Sequence, residues 1–356
     1  MRRLATYGFI ALVSFLVTYA FLSSNTGAAL LAHVQGDERK VALLLRSNPC
    51  PSDQESSYKC WEGYYERVIA ESGSHVALFD LKGRHDAGGY PRLYCHTLLH
   101  VIGEAAGREY PSVAVAYEKG DTFCRSGYHH GVLEGVFGHE GQDAVLNHLD
   151  SFCAEVSGKD RYSYDYFSCV HGVGHGLMAH FAHDLFQSLE GCDQLSGEWE
   201  QSSCHGGVFM ENVISDTEEE PSKFLKDDDP LYPCNAVEDR YRYQCYLMQT
   251  SHMLAVYDGD FGAVFDACSS VEKKYRIPCY QSLGRDASGW SYGSIEGVLA
   301  YCAEGGTEEQ KEECLAGAGV DFIQSHGGEK ARELCRGAEW GAKTCSEAVE
   351  QSLSTL

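Results

Sequence analysis

Sixteen cysteines are spread along the chain, none before Cys50, and from Cys192 onward they form a ladder. Its rungs are Cys192/Cys204, Cys234/Cys245, Cys268/Cys279, Cys302/Cys314 and Cys335/Cys345, with ten to twelve positions between partners. The second members Cys245, Cys279, Cys314 and Cys345 recur every 31–35 residues, the period of a two-helix repeat. Between them, apolar and aromatic residues sit at three- and four-residue spacing, as in CYQSLGRDASGW, and no run alternates with the period of a strand. A helix pair cannot bury its apolar stripe alone, so neighbouring pairs must stack. A crosslink closing a loop of about 11 residues adds on the order of 3 kcal/mol in chain-entropy terms. The spacing predicts an all-α fold, a solenoid-like array of helical hairpins stapled by disulfides. Local rungs such as Cys268 with Cys279 are the simplest pairing, and the rival scheme joins Cys279 to Cys302. No C-x-x-C occurs, which weighs against zinc ribbons, thioredoxin-like centres and c-type haem attachment.

Compartment follows from the other end of the chain. Arg2 and Arg3 precede an uncharged, largely apolar run from Thr6 to Leu22. That run reads as a transmembrane signal-anchor, or a signal peptide, with the positive flank cytoplasmic and everything after it outside. An extracytoplasmic chain with an even number of cysteines is expected to be disulfide-bonded. The predicted layout is a tip, anchor and linker over 1–35, amino-terminal helices over 36–90 and His/Cys-rich helical repeats over 91–215. An acidic loop over 216–233 and Cys-paired helical repeats over 234–356 follow. The segment DTEEEPSKFLKDDDPLYP (216–233) accounts for the long interval from Cys204 to Cys245 and reads as an exposed insertion. The net charge of −24, with no basic patch, excludes nucleic acid as a partner. The predicted partners are the membrane, through the anchor, and a protein or peptide if the array serves as a scaffold.

The segments ACSSVEKKYRIPCYQSLG, YCAEGGTEEQKEECLAGAG and LCRGAEWGAKTCSEA each place one cysteine at the close of a helix and another in the next. This frame resembles the disulfide-stapled Sel1-like (TPR-type) helical repeat proteins, over the carboxy-terminal half only. The resemblance implies a staple joining the second helix of one repeat to the first helix of the next. The chain lacks that family's L-G-x-x-Y-x-x-G pattern, so only architecture is implied and no activity.

Function is written in the histidines. Eleven of the sixteen lie between His96 and His205, and seven of these fall in four segments that each open on a cysteine. CHTLLHVIGEA sets His96, His100 and Glu104 four apart on one helical stripe. CRSGYHHGVLEG carries His129, His130 and Glu134; CVHGVGHGLM carries His171 and His175; CHGGVFMEN carries His205 and Glu211. Residues four apart are neighbours on a helix surface, and stacked equivalent helices would line one concave face. Imidazoles with a few carboxylates suit zinc, iron, manganese or copper(II). His96, His100, His130, His171, His175 and His205 are therefore the predicted ligands of a divalent transition metal, zinc or iron above all. Glu134 is the predicted general base if the site is catalytic. His139, His148, His180 and His183 read as surface or supporting groups. Glycines 172, 174 and 176 weaken a helix by roughly 1 kcal/mol each relative to alanine, so a neighbouring backbone or a ligand must compensate. The leading functional expectation is a metal-binding protein or metal-dependent enzyme. The alternatives are a repeat scaffold with structural histidines and a protein holding haem b between histidines.

Overall fold

The computed structural model describes residues 39–50, 57–110, 112–121, 123–138, 142–214 and 222–354. The regular elements among them are all helical, and eight disulfides leave no free cysteine. This crosslinking places the chain in an oxidising, extracytoplasmic environment. The run expected to anchor it, Thr6–Leu22, lies outside the described residues; among these, no helix is long and apolar enough to cross a membrane.

The chain divides into two compact units, Met1–Leu93 and Tyr94–Leu356. In the first, α1 (Tyr58–Ser72) and α2 (Ser74–Ala87) are joined by Gly73, whose φ of 86° suits glycine. Trp61, Tyr64, Tyr65 and Val68 of α1 are buried, as are Val76, Ala77, Leu78 and Leu81 of α2. Within this core the Asp80 carboxylate accepts from the Tyr64 hydroxyl at 3.0 Å and from Arg84 Nε at 2.8 Å. A buried charge is thus paired and hydrogen-bonded, as its desolvation requires.

The second unit carries the histidines. Its main helices are α3 (Cys95–Glu109), α4 (Phe123–Phe137), α5 (Tyr164–His180), α6 (Leu185–Cys192), α7 (Glu198–Ile214), α8 (Asp239–Met248) and α9 (Thr250–Val256). They continue as α10 (Phe261–Ser270), α11 (Lys273–Trp290), α12 (Ile295–Ala303), α13 (Glu308–His326), α14 (Gly328–Gly337) and α15 (Ala342–Leu353). Starts are set by side-chain caps: Ser163, Asp184, Asp260 and Ser294 each accept from a backbone N–H three residues on. Thr307 and Gln310 form a reciprocal capping box at α13.

The short helices α6, α10, α12 and α14 each lie against the long helix that follows, and a disulfide ties the two. The bonds are Cys192–Cys204, Cys268–Cys279, Cys302–Cys314 and Cys335–Cys345, with Cys234–Cys245 completing the ladder. The local pairing is therefore the one formed. The long helices touch backbone to backbone. A Cβ on Gly174 of α5 would lie 2.2 Å from the Cys204 carbonyl oxygen, and one on Gly207 of α7 would lie 1.9 Å from that of His171. No side chain fits in either place, which explains glycine in the middle of a helix. Gly103 faces Tyr128 while Gly107 faces Val132, so α3 and α4 run parallel.

Following these contacts, α4 packs on α5, α5 on α7, α7 on α8, α8 on α11 and α11 on α13. Helix α13 in turn reaches α4, so six helices close into a ring. The closing contact is an ion pair: Arg125 Nε lies 2.8 Å from Asp321 Oδ1, and its NH2 donates to Oδ2 at 2.8 Å. Asp321 is further held by the Ser288 hydroxyl at 2.6 Å.

The described part of the acidic loop is less free than an exposed insertion. Buried Gln249 donates to the carbonyls of Pro230 and Tyr232 at 3.0 and 2.9 Å, and His252 Nε2 bonds the Lys226 carbonyl at 3.2 Å. Leu225 is buried, and Phe224 meets Phe186 edge-on.

Candidate metal centre

Three neighbouring helices, α3, α4 and α5, bring five of the six predicted histidine ligands together, and α7 packs against α5. The rings of His130 and His175 stack at 4.4 Å between centroids. His96–His100, His130–His171, His100–His175 and His171–His175 follow at 4.8, 5.1, 5.2 and 5.2 Å. All of this is screened from water; His130, His171 and His175 are at most 3% exposed. Two carboxylates close the nest from behind. Glu134 Oε1 lies 2.7 Å from His100 Nδ1, and Glu211 Oε2 lies 2.7 Å from His175 Nδ1. Each His–Glu pair bridges two adjacent parallel helices, and the pairs adjoin, with His175 Nδ1 3.8 Å from Glu134 Oε1.

His205 is not part of the cluster. Its Nε2 bonds Asp193 Oδ1 at 3.0 Å and its ring meets Tyr241 edge-on. It precedes Glu211 by six residues, about 120° around the helix at ~100° per residue, so only one of the two can face the nest. His129 is turned away for the same reason and stacks on Tyr117 at 4.2 Å. Glu104 pairs with Arg108. Glu211 is the ligand-range group left out of the predicted set, and its signal was the placement four residues after Gly207, on the side of α7 that touches α5.

The hydrogen bonds decide which ring nitrogens are offered. His96 Nδ1 donates to the Cys124 carbonyl at 2.9 Å, which leaves its Nε2 as a bare acceptor. That atom faces His100 Nε2 at 3.1 Å. His100 donates on both sides, to Glu134 and to His96. Burial pulls His100 down, but the Glu134 charge and hydrogen bond, with Glu211 and Glu104 beyond, hold its pKa above the ordinary histidine value. The other rings go the opposite way. Burial and neighbouring imidazoles hold His96, His130 and His175 well below the usual range. Burial takes His171 to about 4, opposed by the Ser203 backbone. Burial pushes the Glu211 carboxyl up to about 8, Glu134 adding to this and His100 opposing it.

The backbone around His96 is unusual. Cys124, Arg125 and Ser126 at the start of α4 have φ of 49°, 56° and 60°, a left-handed run costing roughly 1–2 kcal/mol per residue. The Cys95–Cys124 disulfide and the Arg125–Asp321 pair hold it, and it delivers the Cys124 carbonyl to His96.

The donor set fits a transition ion on its own terms. His130 Nδ1 and His175 Nε2 are buried with no hydrogen-bond partner, at a cost of about 1–3 kcal/mol each. Within the nest, three groups have ligand atoms all within 4.8 Å of one another: His96/His100/His130, His130/His171/His175 and His100/Glu134/His175/Glu211. No family model, no curated protein and no solved structure matches the chain.

Proposed function

We propose that this chain is a membrane-anchored, extracytoplasmic metalloprotein. Its ring of helices would hold a divalent transition ion, zinc or iron, on the imidazoles of His96, His100, His130, His171 and His175. The observation that carries this is the 3.1 Å approach of two Nε2 atoms, His96 and His100, whose Nδ1 atoms are already committed to Cys124 and Glu134. A proton shared there occupies the place of a cation. Glu134 and Glu211 then act as carboxylates that orient His100 and His175 from behind, the arrangement that fixes metal-binding imidazoles. This assigns Glu134 a positioning role in place of the general base expected from the sequence. The ion supplies Lewis-acid or redox chemistry when bound; the chain contributes a dry, buried nest and preset tautomers. Rings packed 4.4–5.2 Å apart favour an ion over a haem, which needs a slot between its axial histidines. Eight disulfides and an apolar core carry the fold without an ion, which supports a working centre, that of a metal-dependent enzyme, over a structural staple. The helical-hairpin repeat reading is supported by the ladder of staples and by three alike turns, Phe181–Asp184, Tyr257–Asp260 and Ser291–Ser294.

Elemental analysis of the purified ectodomain tests the reading: at least one zinc or iron per chain is expected, and a metal-free protein that takes up neither refutes it. Glu134→Gln should lower affinity ~10–100-fold without abolishing binding. It should also drop the His100 pKa below 6.5, measured by NMR, because the carboxylate is what raises it. An unchanged His100 titration would show that Glu134 does not act through that ring.

A further inference from the structure

Beyond the nest, one histidine sits where the backbone disfavours it. The chain leaves α5 through Phe181–Asp184, and the same turn recurs after α9 and α11. In all three, two consecutive residues are left-handed: Ala182 and His183 (φ 50° and 59°), Asp258 and Gly259 (50° and 80°), Tyr292 and Gly293 (52° and 74°). In all three the second residue's N–H reaches back to a carbonyl five residues earlier. His183 meets Met178 at 2.7 Å, Gly259 meets Leu254 at 2.8 Å and Gly293 meets Ser288 at 3.4 Å. A capping Asp184, Asp260 or Ser294 then starts the next helix. Glycine fills this second position in two of the turns, as its freedom at positive φ favours. In the turn beside the metal-binding nest the residue is histidine.

What that side chain reaches is Glu211. His183 Nδ1 lies 3.9 Å from Glu211 Oε1, while the other oxygen, Oε2, holds His175. The His183 side chain is 53% exposed, against 10% for Glu211 and 0% for His175. The three form a graded line from solvent to the interior. Among the described residues, His183 belongs to none of the groups whose ligand atoms lie mutually close, and Glu211 is its link to the site.

We propose that His183 is the loading ligand of the centre. It captures a hydrated divalent cation together with Glu211 Oε1 at the surface, and the ion passes along Glu211 to His175 and the inner imidazoles. The exchange is one of ligands only: water leaves as nitrogen and carboxylate oxygen bind, with no change of oxidation state. This inference rests on the metal reading above and adds to it the route by which the site fills. A nest of nearly inaccessible rings needs such an intermediate, since stripping all the water from an ion in one step is costly.

The test is stopped-flow uptake of Co(II), followed by its visible absorption, into chelator-treated native protein, His183→Gly and His183→Asp. His183→Gly keeps the backbone and should match or raise the metal-free thermal midpoint. It should slow association at least tenfold and slow release by a similar factor, leaving Kd within about threefold. His183→Asp, which restores an oxygen ligand in a residue that tolerates this backbone, should recover the rate to within about threefold of native. Native-rate loading by His183→Gly, or faster release with unchanged association, overturns the proposal while sparing the metal site. No Co(II) uptake by native protein overturns the metal reading, and this one falls with it.

Discussion

Glu211 should be a residue that the metal-free protein is better off without. Its carboxyl is buried beside Glu134 and titrates at about 8, against an ordinary value of 4.5. A carboxyl raised by folding favours the native state at low pH, and that advantage is lost as pH climbs from about 4.5 to about 8. At pH 7 the native state must hold the group protonated or carry its charge unsolvated. Taking about 2.5 units at 1.36 kcal/mol each, the cost is ~3 kcal/mol. Glu211→Gln removes the ionisation and keeps an oxygen for His175 Nδ1, which now lies 2.7 Å from Oε2. Chelator-treated Glu211→Gln should therefore unfold about 6–12 °C above the native protein at pH 7, at roughly 2–4 °C per kcal/mol for a domain of this size. At pH 5 the gap should shrink to about 2–3 °C, because the ordinary carboxyl is by then about a quarter protonated and the remaining cost is below ~1 kcal/mol. With metal present the order should reverse, the ion stabilising native protein more than the variant. Thermal melts at the two pH values decide it. A variant no more stable than native at pH 7, or a gap undiminished at pH 5, would refute the account.

Two further outcomes are expected. His171 is held at about 4, so the native state resists its protonation, and metal-free protein should lose up to about 3 kcal/mol as pH falls from 6.5 to 4; urea unfolding across that range should show a steeper decline in native protein than in His171→Phe. Gly207→Ala puts a methyl 1.9 Å from the His171 carbonyl, and should cost about 1–3 kcal/mol and weaken metal binding by parting α5 from α7. An unaltered melt for this variant would show that the two backbones are not in contact.

The helices, the staples and most of the nest were legible in the sequence because each depends on residues close together. A cysteine ten to twelve positions from its partner, or two histidines four apart, are local facts. Rotation about a helix was harder to read: His205 and Glu211 share one segment, yet only Glu211 faces inward, since Gly207 decides which side of α7 meets α5. His183 reads from the sequence as a surface or supporting group, which its exposure and its approach to Glu211 fit, but its left-handed backbone shows only in three dimensions. The closure of the ring was not legible at all, resting on Arg125 and Asp321, 196 positions apart.

That separation gives the ring a seam. Bringing together ends 196 positions apart costs about 1.5 kcal/mol more in chain entropy than joining neighbours ~34 apart, and one ion pair with its hydrogen bonds sets the return. The His100–Glu134 and His175–Glu211 pairs span only 34 and 36 positions and lie on a continuous arc, so neither needs the seam shut. A ring built this way is a split washer: parted between α4 and α13, it would loosen the run that sets the Cys124 carbonyl on His96, while the two His–Glu pairs stay in register.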